Sequence, residues 1–320
     1  MPRLEPSSGS RRSGGGAGKG GRRAGSSGRP RPEGTAARGA TSGVPARLRG
    51  LGVRPSRRLG QNFLCDPRVS QRIAALIEDP LTPVLEIGPG LGALTVDLAR
   101  TGRPLVAVEI DFRLAEALEH ALEGYPDARV FRGDILDQRI DALFPDAEAS
   151  SVTVVANLPY SITTPAIEWL LGQEPQARRA LFMVQREYAR RLTASPGTKD
   201  YGSISVFVGL HAEVSMLFAV SPGAFFPRPE VDSVVLELTP RPYPGTNAAE
   251  RRSAERLARA GVGTRRKTLA NALARGLKMS ASEARGLLES AHVDPGRRAE
   301  TLSIDEWLRL ARVYGPESEA

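Results

Sequence analysis

Apolar side chains fall into three regimes along this chain of 320 residues. From residue 7 to about residue 49 large apolar side chains are almost absent, and Gly, Ser, Arg, Ala and Pro fill the positions. Such a segment buries too little surface to offset the entropy of ordering it, so disorder is expected there. From about 57 to 243, short β-branched runs alternate with stretches of helical spacing. Val84-Leu85-Glu86-Ile87, Leu105-Val106-Ala107-Val108 and Val152-Thr153-Val154-Val155-Ala156 predict buried strands, and residues 67–77 and 93–99 predict helices. Ser205-Val206-Phe207-Val208 and Ser233-Val234-Val235-Leu236-Glu237-Leu238 predict two late strands of antiparallel type. After Pro244 only helical spacing remains, over 248–261, 266–277, 282–291 and 304–314. Ser282 before Glu283 marks one helix start, and Ser303 with Glu306 three residues on forms a capping box at another. The pattern as a whole predicts an α/β domain followed by a small C-terminal α-helical domain. The expected divisions are a disordered tail over 1–56, the α/β domain over 57–243, the helical domain over 244–315 and a flexible end over 316–320.

The residues that carry chemistry stand at the predicted strand ends, where open α/β sheets bind ligands. The first strand runs into Gly88-Pro89-Gly90-Leu91-Gly92, a tight turn whose glycines let a nucleoside pass close to the backbone. The turn also fits G-x-G-x-x-A loosely, which keeps a dinucleotide site open. Glu109, ending the second strand, suits a ribose diol, and Asp134 in Gly133-Asp134-Ile135-Leu136 suits an adenine amino group. Asn157-Leu158-Pro159-Tyr160 follows the third strand. The Asn157 side-chain oxygen and the Leu158 carbonyl can accept both hydrogens of an exocyclic amine, Pro159 stiffens the turn, and the Tyr160 ring offers a stacking surface. An adenine amine is the reacting group this implies. Farther on, Phe225-Phe226-Pro227-Arg228-Pro229 makes a rigid loop able to hold the Phe225 ring against a flipped base opposite Tyr160. A hydrophobic plug beneath a loop is the plainer alternative for the same residues.

Composition narrows the classes. A chain with 41% hydrophobic residues can build a sizeable core. A single cysteine, Cys65, excludes an internal disulfide framework and a cysteine-ligated metal site; it reads as a free thiol near the cofactor mouth of a cytoplasmic protein. His120, His211 and His292 form no metal spacing and no triad, so no metal is expected. No apolar run approaches the roughly 20 residues of a membrane span. The net charge of +8 conceals a division. Residues 1–58 carry 14 Lys and Arg against 2 Asp and Glu, residues 59–240 carry 15 against 24, and residues 241–300 carry 13 against 6. The basic tail could contact phosphates without reading sequence, and the basic C-terminal segment is the better RNA-facing surface within the folded part.

Eight segments in order resemble the small-subunit ribosomal RNA adenine N6,N6-dimethyltransferase family: residues 59–64 (LGQNFL), 86–92 (EIGPGLG), 108–111 (VEID), 133–135 (GDI), 157–160 (NLPY), 225–233 (FFPRPEVDS), 265–269 (RRKTL) and 299–303 (AETLS). The likeness covers roughly 57–313. It implies a Rossmann-like methyltransferase domain using S-adenosylmethionine, and as acceptors two adjacent adenines near the 3′ end of small-subunit rRNA, on a small-subunit particle, by a free monomer. It also implies that Asn62 and Leu64 cover the methionine end of the cofactor, that Gly88, Glu109, Asp134 and Asn157 complete its site, and that Arg265, Arg266 and Lys267 meet RNA. Related alternatives are a large-subunit enzyme of the macrolide-resistance type and a noncatalytic ribosome-assembly or RNA-binding factor. The Leu158 form of the motif and the 265–269 run favour the first reading, and Asn157, Tyr160 and Glu109 favour catalysis. No His or Lys/Tyr arrangement supports a nicotinamide dehydrogenase.

Overall fold

The computed structural model describes residues 43–55, 61–264 and 266–315. Among these, seven strands form one sheet in the order β4-β3-β2-β5-β6-β9-β7. The strands are β2 (Val84–Ile87), β3 (Leu105–Glu109), β4 (Ala128–Arg132), β5 (Thr153–Asn157), β6 (Arg179–Gln185), β7 (Ala212–Val220) and β9 (Ser233–Pro240). β4, β3, β2, β5 and β6 run parallel, while β9 and β7 close one edge antiparallel. A separate two-stranded ribbon pairs β1 (Phe63–Leu64) with β8 (Phe225–Phe226), Phe63 opposite Phe226 and Leu64 opposite Phe225.

The β-branched runs form strands because both sheet faces are covered. Leu85, Ile87, Val154 and Ala156 point into one core, and Val84, Leu105, Ala107 and Val155 into the other, as the period of two demands. The helices that follow the strand ends are α2 (Pro67–Ala75), α3 (Ala93–Ala99), α4 (Phe112–Ala121), the short α5 (Ile140–Leu143), α6 (Tyr160–Leu171), α7 (Arg186–Leu192) and α8 (Ser203–His211). Asp66 and Asp111 cap α2 and α4 through their side chains.

Residues 205–208, expected as a strand, belong to α8. The Ser205 hydroxyl accepts from the Gly202 N–H at 3.0 Å and fixes the first turn. Val208 faces the sheet core while Val206 and Leu210 face a second core built by the C-terminal helices. A helix buried on two sides loses its polar stripe, so its periodicity cannot be told from that of a strand.

The C-terminal helices are α9 (Ala248–Val262), α10 (Leu269–Gly276), α11 (Ala281–Ser290) and α12 (Ile304–Tyr314). They surround Trp307, which is fully buried. The Ser303/Glu306 capping box is present as read, whereas α11 is capped by Ser280 with Glu283, not by Ser282. The spacing Ser-x-x-Glu decides this, since only the residue three before Glu283 can exchange both bonds. α10 starts three residues later than expected, leaving Arg266 and Lys267 exposed in the preceding turn. Tyr201 Oη donates to the Leu302 carbonyl at 2.8 Å, and Arg259 pairs with Glu168 at 2.6 Å, fastening this layer to the segment before α8 and to α6. Among the described residues no helix is long and apolar enough to cross a membrane.

The expected tail of 1–56 needs correction at its end. Residues 1–42 lie outside the described residues, but Val44–Gly50 is a helix, α1, with Val44 and Leu48 buried. Val44, Leu48 and Val53 are sparse in sequence, yet helix spacing brings the first two to one face, where they find a partner core in Phe63, Leu91 and Leu114. Local composition could not reveal that partner.

Candidate active site

The C-terminal ends of β2, β3 and β5 meet the β1/β8 ribbon around a cleft of about 1200 Å³ of empty space, its open mouth included. At one end lies the glycine turn. Gly88 has φ +64°, and a Cβ there would meet nothing within 4 Å, so the bare backbone faces open space. At Gly90, φ +58°, a Cβ would come within 3.0 Å of the Phe63 ring. Glu109 fastens this turn from below: its Oε2 accepts from the Gly90 N–H at 3.0 Å and its Oε1 from the Asp111 N–H at 2.9 Å. Burial raises the Glu109 carboxyl above its usual range, and the two backbone donors hold it back. Glu86 also lines the cleft, and its Oε2 has no hydrogen-bond partner. Burial pushes it up to about 8, the Thr95 hydroxyl opposing and the Glu109 charge adding to the rise.

Asn157 is the last residue of β5, and its Nδ2 donates to the Asn62 carbonyl at 2.8 Å. A carbonyl can only accept, so the amide nitrogen must face Asn62, and Oδ1 is turned the other way. Leu158 is buried in the sheet core, its N–H donating to the Met183 carbonyl at 3.1 Å. Pro159 stands at the N-cap of α6 and Tyr160 opens that helix, 60% exposed. Asn62, Leu64, Gly88, Glu109, Asn157, Leu158, Pro159, Tyr160 and Phe225 all line the cleft.

The arrangement departs from expectation at two places, Asp134 and Phe225. Asp134 is not among the lining residues; its Oδ1 accepts from the Leu136 N–H at 2.9 Å and caps a single 3₁₀ turn, so a backbone donor already uses it. Phe225 is 3% exposed and shares a core with Leu64, Val155 and Leu181, so the plug alternative describes its burial, although it also borders the cleft. Cys65 is a free thiol, as read, and burial pushes it up to about 11. Arg266 and Lys267 stand far along the chain in the turn before α10, and Arg265 lies outside the described residues.

The model of the ribosomal RNA adenine dimethylase family matches residues 53–314. The chain belongs to that family. This dimethylase is 42% identical to ribosomal RNA small subunit methyltransferase A of Geobacter metallireducens over 267 residues, covering 83% of this chain and 97% of that protein. It is 40% identical to the protein of the same name from Moorella thermoacetica over 274 residues, 83% of this chain and 95% of that one. Among solved structures it resembles the 23S rRNA methyltransferase ErmE, with TM-score 0.57, 31% identity, and 79% and 99% of the two chains covered. It also resembles a dimethyladenosine transferase from Plasmodium falciparum, with TM-score 0.62, 26% identity, and 78% and 95% covered. The dimethylase is an S-adenosylmethionine-dependent methyltransferase of Rossmann-like fold, as the sequence led one to expect.

The cleft fits that cofactor. Bare glycine backbone admits a nucleoside, the Glu109 carboxylate stands at the end of the adjacent strand, and the unpartnered Glu86 oxygen offers a hydrogen-bonding group to a polar ligand. Three contributors were missed in the sequence: Glu86, the Asn62 carbonyl as a clamp on Asn157, and Arg47, which donates to the Leu91 carbonyl at 3.2 Å. Glu86 alone left a signal, a carboxylate inside an otherwise apolar strand.

Proposed function

We propose that the dimethylase transfers methyl groups from S-adenosylmethionine to N6 of two adjacent adenines near the 3′ end of small-subunit rRNA, twice on each, in a small-subunit particle of the cytoplasm. The observation that supports this best is the clamp on Asn157, which turns one acceptor oxygen away from Asn62 at the end of a strand beside an exposed aromatic ring. The small-subunit assignment draws on relatives such as the Geobacter protein, matched over nearly its whole length.

Bound S-adenosylmethionine supplies an electrophilic sulfonium methyl. The residues position and polarise the base. Adenine N6 is a poor nucleophile because its lone pair is delocalised into the ring. Asn157 Oδ1 and the Leu158 carbonyl accept its two N–H bonds, which favours a more tetrahedral nitrogen, and Tyr160 stacks on the ring to hold the lone pair in line. The proton leaves after attack, so an amide at 157 suffices and no strong general base is required. The monomethylated amine keeps one N–H for Asn157, and the same site can act again. Glu109 binds the ribose of the cofactor, Asn62 and Leu64 cover its methionine end, and Phe225 backs the flipped base. Arg265, Arg266 and Lys267 contact RNA, the helices over 244–315 acting as the substrate-facing domain of a free monomer.

Incubating the protein with labelled S-adenosylmethionine and unmethylated small-subunit particles, then mapping N6,N6-dimethyladenine, tests the reading. Dimethylation of a neighbouring adenine pair in small-subunit rRNA is expected. Transfer only to large-subunit rRNA, or none to either particle, overturns it.

A further inference from the structure

We propose that α1 braces the cofactor turn, and that Arg47 and Leu48 are positioning residues for cofactor binding; the proposal rests on the cleft taking S-adenosylmethionine. The glycines of the turn carry no side chains to fix their positive φ angles, so its shape depends on what grips the backbone. Two grips act on adjacent residues from different elements. Glu109 holds the Gly90 N–H, and Arg47 Nη2 holds the Leu91 carbonyl at 3.2 Å. One ties the turn to the end of β3 and the other ties it to α1.

The side chains repeat the pattern. Leu48 is 2% exposed and packs with Val44 and Val53 against Phe63, Leu91 and Leu114, three residues that also border the cleft. Past the end of α1, Arg113 Nη1 donates to the Gly52 carbonyl at 2.6 Å. Arg113 lies in the first turn of α4, a few residues after Glu109, so this bond joins the brace to the segment carrying the ribose-side carboxylate. The helix thus touches the glycine turn, the β1 wall and the start of α4 without reaching a reacting atom. The family match begins at residue 53 and leaves α1 outside it.

The test is calorimetric titration of S-adenosylmethionine into a chain beginning at Gly43, one beginning at Pro55, and full-length Arg47→Ala, Arg47→Lys and Leu48→Ala. Loss of one hydrogen bond or one buried contact predicts a Kd about 5- to 10-fold weaker for Arg47→Ala and Leu48→Ala, and at least as large a loss for the chain beginning at Pro55. Arg47→Lys, which keeps a donor, should recover part of the affinity. At saturating cofactor and RNA, kcat should stay within about twofold, the change appearing as a raised KM for the cofactor with that for RNA unmoved. A lower melting temperature with unchanged cofactor Kd at a temperature where the variants are folded assigns α1 a purely structural role and overturns the proposal. If the shorter chain does not fold, the two alanine variants decide by themselves. Failure of the full-length protein to bind S-adenosylmethionine at all overturns the reading of the cleft instead, and the brace with it.

Discussion

The two ends of the cleft are built on opposite plans. At the donor end, Glu86 and Glu109 are 3% and 5% exposed, and the turn between them is gripped through its backbone from two sides. At the acceptor end, Tyr160 is 60% exposed, and of the groups offered to the base only Asn157 is clamped through its side chain. A cofactor of fixed shape can be met by buried groups set in advance. A base carried by a large RNA must be admitted and released, so its stacking surface stays open and one orienting bond is fixed beneath it.

The sharpest way to break this contrast is at Asn157. Asn157→Ala should lose about 10²–10³ in turnover while cofactor affinity is retained, measured by single-turnover transfer to small-subunit particles. Asn157→Asp should be no better, because a carboxylate cannot donate to the Asn62 carbonyl and would be repelled by it. Near-normal dimethylation by either variant would sink the clamp.

At the donor end, Glu109→Ala should weaken S-adenosylmethionine binding by about 1.5–3 kcal/mol, since charge-assisted bonds are lost both to the cofactor and to the Gly90 and Asp111 amides. Glu109→Gln, whose amide can accept at only one of those two sites, should fall between wild type and alanine in the same titration. Equal affinity in all three would show that the acid grips nothing that matters. Tyr160→Ala should cost about 1–3 kcal/mol in base capture, read as a raised KM for RNA with the cofactor Kd unchanged. A loss of cofactor affinity there would erase the distinction between the two ends.

Smaller effects sharpen the electrostatics. Glu86 is raised from 4.5 to about 8, so its protonated form is favoured by folding. The stability this confers is full below pH 4.5 and is lost as pH rises through about 8, with a slope of up to about 1.4 kcal/mol per pH unit. Glu86→Gln should flatten the fall in unfolding free energy across that window, and parallel pH curves for the two proteins would exclude Glu86 as its source. Charge reversal at Arg266 and Lys267 should lower the salt slope of RNA binding by about 0.9 for each phosphate contact removed, leaving cofactor binding alone.

The sequence by itself determined three of the five parallel strands, β2, β3 and β5, the turn after the first of them and the Asn-Leu-Pro-Tyr corner, because strong β-branched runs and glycines act locally. The Ser303/Glu306 cap was legible for the same reason, its two bonds lying within four residues. Only the tertiary structure decided that residues 205–208 are helical, since that segment is buried between two cores and shows no amphipathic stripe. The same holds for α1, whose few apolar residues gain meaning only from Phe63, Leu91 and Leu114, brought to them from elsewhere in the chain. The direction of the Asn157 amide follows from a carbonyl 95 residues away in sequence, and the rise of Glu86 follows from burial on every side. Residue types and short-range spacing are written in the chain, while burial, long-range hydrogen bonds and the fields they create exist only once the chain has closed on itself.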